Sequence, residues 1–348
     1  KNLRYTSDRK EPIIETLQDF SDNQGILRLA EKCNGSGDCR KSTEAGGTMC
    51  PSYRATKDEK DTTRARANTL REFLTNSEKA NKFNHKELKD VFDLCLSCKA
   101  CANECPSNVD VAILKAEFLY QYQETNGYSF RNKLFANSEK NNRLGSKVPA
   151  LTNAILNSSI AKSIMGIAPQ RSVPRLASQT LRKWFQKQVS SKNKKVVYLF
   201  CDEFTNYYDV DIGKDTIELL ERLGYAVQII DHEESGRSAI SKGFLIQAKE
   251  IANKNVTIFK KRLNDKSPLI GIEPSAILTF RDEYLRLADD KDSAIEIASH
   301  TFTIEEFISN EFEKGNINRD LFTKESMAIK IHGHCHQKAL SNMHATFN

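Results

Sequence analysis

The run Cys95-Leu-Ser-Cys98-Lys-Ala-Cys101-Ala-Asn-Glu-Cys105-Pro106 constrains this chain more than any other part of it. Three thiols at three-residue spacing can wrap one loop around a multi-iron core. A fourth thiol followed by proline completes the form of an iron–sulfur loop. A zinc knuckle also uses Cys-x2-Cys, but zinc takes four ligands as two pairs. The spacing therefore favours a [4Fe–4S] cluster whose last iron needs a cysteine from elsewhere. In two-cluster ferredoxins the final cysteine of each run crosses over to the other cluster.

A second group supplies the partner. It reads Cys33-Asn-Gly-Ser36-Gly-Asp-Cys39, then ten residues, then Cys50-Pro51. Laid over the same template, Cys33 and Cys39 take the first and third ligand positions, Ser36 the second, and Cys50 is the crossover residue. Crossover pairing assigns Cys50, Cys95, Cys98 and Cys101 to one complete cluster. It leaves Cys33, Cys39 and Cys105, with Ser36, for another. That second site has three readings: a [3Fe–4S] cluster, a [4Fe–4S] cluster with Ser36 or water on one iron, or a vestige of small buried thiols. Gly35, Gly37, Gly46 and Gly47 would let the loop close around an inorganic core. The chain has nine cysteines, an odd number, and seven fall in these two groups, which argues for metal over disulfides.

At 348 residues the chain is long for a single domain. No apolar run approaches the roughly 18 residues that span a bilayer. Lys1 to Gln24 is polar, without the apolar core of a signal peptide. A start at lysine and an end just past an expected strand suggest an internal piece of something longer. The net charge of +6 is uneven: Arg131 to Lys195 holds 14 Lys and Arg against one acid, Glu139, and the remainder is net negative.

The pattern predicts an α plus α/β architecture in three parts. Residues 1–127 form an all-helical, two-cluster ferredoxin-like domain. It includes a helix over 61–73 and another after Pro106, begun by the Ser107-x-x-Asp110 form, with Val111, Leu114, Phe118 and Tyr122 on one face. Residues 128–193 form a basic helical connecting segment, with helices around 150–165 and 175–185 and Pro149, Pro169 and Pro174 as breaks. Residues 194–348 alternate strand and helix, which predicts an open, mostly parallel sheet. Strands are expected at 196–200, 225–230, 269–272 and 328–332, and helices at 213–223, 239–260, 276–287 and 304–313. His332, His334, Cys335 and His336 follow the last of these strands, where open α/β sheets place their sites, and alternate histidines would share one face if the strand continued. Metal binding, contact with a partner or substrate, and structural hydrogen bonding all remain open for that group.

Several motifs resemble one family. Cys33-Asn-Gly-Ser-Gly-Asp-Cys-Arg40, Met49-Cys-Pro-Ser-Tyr-Arg-Ala-Thr56, Thr63-Arg-Ala-Arg-Ala67, the Cys95–Cys105 run, Gly271-Ile-Glu-Pro-Ser275 and His332-Gly-His-Cys-His-Gln-Lys-Ala339 are similar to the C-terminal half of fused FAD-linked D-2-hydroxyacid dehydrogenases, of D-2-hydroxyglutarate or D-lactate type. Looser likenesses are the iron–sulfur subunits of glycolate oxidase and of anaerobic glycerol-3-phosphate dehydrogenase. The resemblance implies an N-terminal flavin domain, absent from this chain, that oxidises the hydroxyacid with FAD. This chain would then relay electrons onward to an acceptor such as a quinone, and no catalytic acid or base is expected in it. It further implies that the third part is a cysteine-rich domain of the Cys-Cys-Gly type, incomplete at its C-terminal end. Here the chain departs from the family, with Glu234-Ser235-Gly236 at that motif and Ala276 after Ser275, so Cys201 is read as a small buried residue rather than a ligand.

The expected partners are the flavin domain, in the same polypeptide or on a separate one, and an electron acceptor. The basic stretch would dock on an acidic partner or on anionic lipid. Nucleic acid is not expected, since no aromatic-interleaved or motif-bearing pattern accompanies the charge. The expected location is the cytoplasm or the inner face of the membrane, and oligomers are open. The rival readings are a stand-alone iron–sulfur protein of a larger complex and a non-redox module with a structural metal.

Overall fold

The computed structural model of the chain describes residues 11–188, 193, 195–341 and 343–347. These fall into two compact units, one up to Gly127 and one from Tyr128 onward. Residue 194, the expected start of the third part, lies outside the described residues. Among the described residues no helix is long and apolar enough to cross a membrane.

The first unit is helical: α1 (Ile26–Glu31), α2 (Pro51–Thr56), α3 (Thr63–Asn76), α4 (Lys86–Asp93), α5 (Ala100–Glu104) and α6 (Val111–Asn126). Its core gathers Ile26, Leu29, Leu70, Leu74, Leu88, Phe92, Leu114 and Phe118, each no more than 2% exposed. Every helix here is short or marginal alone, so burial of these apolar faces against one another supplies the stability. Helix α3 starts where Thr62 accepts the amide of Ala65. Helix α6 starts where Asp110 accepts the amides of Ala112 and Ile113. The cap is thus Asp110 and not Ser107, because the chain turns from Cys105 through a left-handed Asn108 before the helix begins. Glu117, fully buried on α6, accepts the amides of Leu17 and Gln18 and so pins the incoming chain.

The second unit opens with the basic stretch, as α7 (Phe130–Ala136), α8 (Ser138–Gly145), α9 (Pro149–Leu156), α10 (Ser159–Ile164) and α11 (Leu181–Phe185). Pro149 falls at the boundary between α8 and α9 and occupies the first turn of α9, where its missing amide is no loss. There follow β1 (Lys195–Phe200), α12 (Glu203–Tyr207), α13 (Val210–Arg222), β2 (Tyr225–Gln228), α14 (Arg237–Ser241) and α15 (Leu245–Phe259). The remainder is β3 (Leu269–Gly271), α16 (Pro274–Ile277), α17 (Glu283–Leu287), α18 (Lys291–Ser299), β4 (Thr301–Thr303), α19 (Ile304–Glu313), α20 (Cys335–Leu340) and α21 (His344–Phe347).

The four strands form one parallel sheet in the order β2-β1-β3-β4. Alternate residues of β1 face opposite layers. Val197 and Leu199 pack with Ile217, Leu220 and Phe307 on one side, while Phe200 packs with Phe259 and Phe280 on the other. Beside β1 the connections diverge, to β2 on one flank and to β3 on the other, so a crevice opens at the C-terminal ends of β1 and β3.

Three expectations are corrected. The fourth strand is Thr301–Thr303, paired to β3, whereas 328–332 is irregular and its Ile329 and Ile331 are exposed. The helix expected over 239–260 is two helices, parted where Gly243 takes a φ of 72° and the Phe244 amide bonds back to the Ala239 carbonyl. The helix expected over 276–287 is α16 and α17 with a 3-10 turn, Leu278–Arg281, between them.

Candidate iron–sulfur centres

The two Cys-Pro corners place the thiols. Cys50 takes a left-handed φ of 52° and Pro51 begins α2. In the second loop Ser97 and Lys99 are left-handed, at φ of 52° and 61°, which lets a short loop curl instead of running on as a helix. Such non-glycine strain persists only where the surroundings impose it, and it concentrates at functional sites. Cys50, Cys95, Cys98 and Cys101 line one cavity, together with Thr63, Arg66, Val111 and Ala112.

Each buried sulfur meets amide hydrogens. Cys101 Sγ accepts from the Val111 amide at 3.3 Å, at the head of α6. Cys50 Sγ accepts from the Thr63 amide at 3.1 Å and lies 3.0 Å from the Thr63 hydroxyl, at the head of α3. Burial pushes the Cys101 thiol well above its ordinary range, and the charges of Asp110, Cys95 and Cys98 add to this. Burial also raises Cys50, with the two Thr63 bonds and Arg66 opposing. A thiolate here is costly unless a cation replaces its proton, which is what iron does. Four thiols lining one cavity, with backbone amides on the sulfurs of Cys50 and Cys101, are a donor set that fits a [4Fe–4S] core. Among the described residues no three His, Cys, Asp or Glu side chains converge on a single ion.

The other set is less complete. Cys33 and Cys39 are buried and close enough for their charges to interact. Cys105 is half-buried and packs against the same core. Ser36 is exposed, its amide turned to the side chain of Asn34. Gly35, Gly37 and Gly47 take positive φ and Gly46 does not.

Two residues inside the quoted motifs, with no role legible from the sequence, hold these loops. Glu104, inside the second cysteine run, accepts the Thr48 amide, the Thr48 hydroxyl and the Met49 amide, which ties the Cys50 corner to α5. A Cβ at Gly47 would collide with the Glu104 carboxylate, so that glycine is needed for space as well as for its φ of 81°. Arg66, 2% exposed, donates to the Val91 carbonyl and the Ser52 hydroxyl beside the cavity.

In the second unit the histidine group is not on a strand. His334 caps α20, its Nδ1 accepting the His336 amide, and its Nε2 lies 3.6 Å from Glu273 at the end of β3. His336 is buried, Cys335 half-buried and His332 exposed. The neighbouring crevice is rich in buried acid. Burial, then the Glu203 charge, pushes Asp202 up to about 7, and the same two causes push Glu234 up to about 8. The Glu234-Ser235-Gly236 turn is held on all sides. Glu203 accepts the Ser235 amide and hydroxyl, Asn255 donates to the Glu234 carbonyl, and Tyr284 donates to the Ser235 carbonyl. His232 Nε2 accepts the Cys201 amide, so Nδ1 carries the proton and donates to the Glu233 carbonyl. Burial and the Arg182 charge keep that imidazole neutral, lowered to about 3. Cys201 itself is buried and raised to about 12.

Residues 32–110 match the family described as the 4Fe-4S dicluster domain. The first unit thus carries an iron–sulfur domain of the kind found in oxidoreductases. The chain is 28% identical over 338 residues to D-2-hydroxyglutarate dehydrogenase of Escherichia coli (strain K12), covering 83% of this chain and 32% of that protein. It is 24% identical over 366 residues to the D-2-hydroxyglutarate dehydrogenase of Haemophilus influenzae, covering 92% of this chain and 34% of that one. Lactate utilization protein A of Bacillus subtilis (strain 168) is 28% identical over 149 residues, 41% of this chain and 59% of that protein. The chain spans about a third of the length of the D-2-hydroxyglutarate dehydrogenases it matches. No solved structure matches.

Proposed function

We propose that this chain is the electron-transfer portion of an FAD-linked 2-hydroxyacid dehydrogenase. The single observation that carries the reading is the cavity lined by Cys50, Cys95, Cys98 and Cys101, which joins two loops far apart in sequence around one space. A [4Fe–4S] cluster held there supplies one-electron transfer, which links a two-electron donor such as a flavin to acceptors that take electrons singly. The four thiols act as ligands and not as nucleophiles. Val111 and Thr63 direct their amides at the ligand sulfurs, and Val111 and Ala112 give the cavity an apolar wall that limits water. Cys33, Cys39 and Cys105 would hold the second cluster of the dicluster domain. Iron and acid-labile sulfide analysis with EPR on anaerobically prepared protein tests this. The expected result is a [4Fe–4S] signal lost in Cys50→Ala; colourless protein holding zinc overturns the reading.

The docking partner is read from the basic stretch. Helices α9 and α10 leave Leu151, Ile155, Ile160 and Ile164 more than half exposed, beside a segment holding 14 Lys and Arg. Apolar surface rimmed by one sign of charge suits an acidic protein face, and the flavin domain is the partner this reading supplies. Association with an isolated flavin domain that weakens steeply with salt supports it. Salt-independent binding, or none, counts against it.

A further inference from the structure

The first turn of α3 stands between the two thiol sets and serves both. The amides at the start of a helix have no partner within it. Here they turn to the thiols and to Thr62. The Thr63 amide goes to Cys50 Sγ at 3.1 Å, the Ala65 amide to Thr62 Oγ1 and the Arg66 amide to the Thr62 carbonyl. The Arg64 backbone and the Thr62 side chain lie near enough to the Cys39 thiol to oppose the effect of its burial. The turn therefore lies beside sulfurs that the crossover pairing gives to different clusters, with the Thr63 amide bonded to one of them. Cys39 and Cys50 are themselves close enough to interact electrostatically. The Thr63 side chain adds a second contact, its hydroxyl 3.0 Å from Cys50 Sγ, and it is 3% exposed, so water does not stand in for it. The positive end of a 14-residue helix and the buried Arg66 guanidinium reinforce the same corner.

Reduction adds negative charge to a cluster and its thiolates. Donors aimed at a ligand sulfur stabilise the more negative state, and they do so most where the dielectric is low. We infer that Thr63 is a positioning residue that raises the reduction potential of the cluster on Cys50, Cys95, Cys98 and Cys101, and that the α3 turn makes this corner common to both clusters. The inference rests on the cluster assignment proposed above and goes beyond it, since a cluster could sit there without any control from Thr63.

The experiment is EPR-monitored redox titration of the full chain, with iron and sulfide measured first. Thr63→Val keeps the backbone amide and shape but removes the hydroxyl. It is expected to lower the midpoint potential, so that at the wild-type midpoint the reduced-to-oxidised ratio falls several-fold. A ten-fold fall corresponds to 59 mV for one electron. Thr63→Ser, which restores the hydroxyl, should return the potential to the wild-type value. A Thr63→Val protein with full iron and an unchanged midpoint overturns the inference. So does an equal shift in the serine variant, which would mean that packing and not the hydrogen bond was responsible. If valine disturbs loading, Thr63→Ala, which removes the hydroxyl together with the γ-methyl, is read against Thr63→Ser in the same way. Wild-type protein that binds no iron would instead overturn the cluster assignment itself, which keeps the two failures distinct.

Discussion

Glu104 shows how much one side chain can hold. Its carboxylate takes three donors from Thr48 and Met49, residues some 55 positions earlier, and the nearby Lys41 contributes charge only at 3.9 Å. Hydrogen bonds to a charged acceptor are worth more than neutral ones, and a partly buried cluster of them is lost together. Glu104→Ala should therefore destabilise the first unit by about 2 kcal/mol, measured by denaturant titration with the second unit as an internal control. Glu104→Gln should recover only part of this, because its amide end cannot accept. In the second unit Asp202 and Glu234 bind their protons more tightly folded than unfolded. Their contribution to stability is complete below their ordinary values of 3.8 and 4.5, and it is lost as pH rises through about 7 and about 8. Asp202→Asn keeps a cap oxygen for the amides of Phe204 and Thr205 and removes the charge facing Glu203 and Glu273. The fall in melting temperature of the second unit between pH 5 and pH 8 should be smaller in this variant; an unchanged or larger fall would contradict the buried-acid account. Cysteines were legible in the sequence because their spacing is local. Glu104 and Thr63 stood inside the quoted motifs, but their roles were not legible, because each acts on a partner brought near only by the fold.

At the scale of elements, Gly243 separates α14 from α15 through a left-handed turn that other residues adopt at a cost. Gly243→Ala should cost the second unit about 1 kcal/mol, read from its unfolding midpoint, and should not fuse the two helices, since the Phe244 amide still bonds back to Ala239. The same position shows why the sequence suggested a single helix over 239–260. Apolar residues continue on both sides of the glycine, and a lone glycine within such a pattern is ordinarily tolerated. Helix α19 runs over the 304–313 expected for it, and the structure shows Thr303 and Glu306 closing a capping box at its start, a local signal contained in four positions. Strand β4 was not. It is three residues long with threonine at both ends, and it owes its place to pairing with β3 and not to its own propensity. The 328–332 stretch is the reverse case, with a strand's alternation and no ladder among the described residues.

For the molecule as a whole, two units with separate cores predict separable responses to metal. If thiolate ligation holds the Cys33–Cys50 and Cys95–Cys105 loops together, removing iron anaerobically with a chelator should loosen the first unit. Hydrogen-exchange protection should fall across α2, α3 and α5 while the strands of the second unit keep theirs. Equal loss in both would mean that the chain unfolds as one body. The parallel sheet and the cysteine loops were legible as architecture; the crevice of buried acids was not, because Asp202, Glu203 and Glu234 look like surface residues until the layers close over them. One stretch has a practical consequence for anyone handling the protein. Met327, Ile329 and Ile331 stand 74%, 72% and 44% exposed in a sequence that alternates like a strand. Exposed apolar side chains in such a row are a self-association hazard, and Lys330 places a charge between the two isoleucines. Replacing that lysine with a neutral residue would trade solubility for self-association, so concentration and ionic strength will govern how long a purified sample stays clear.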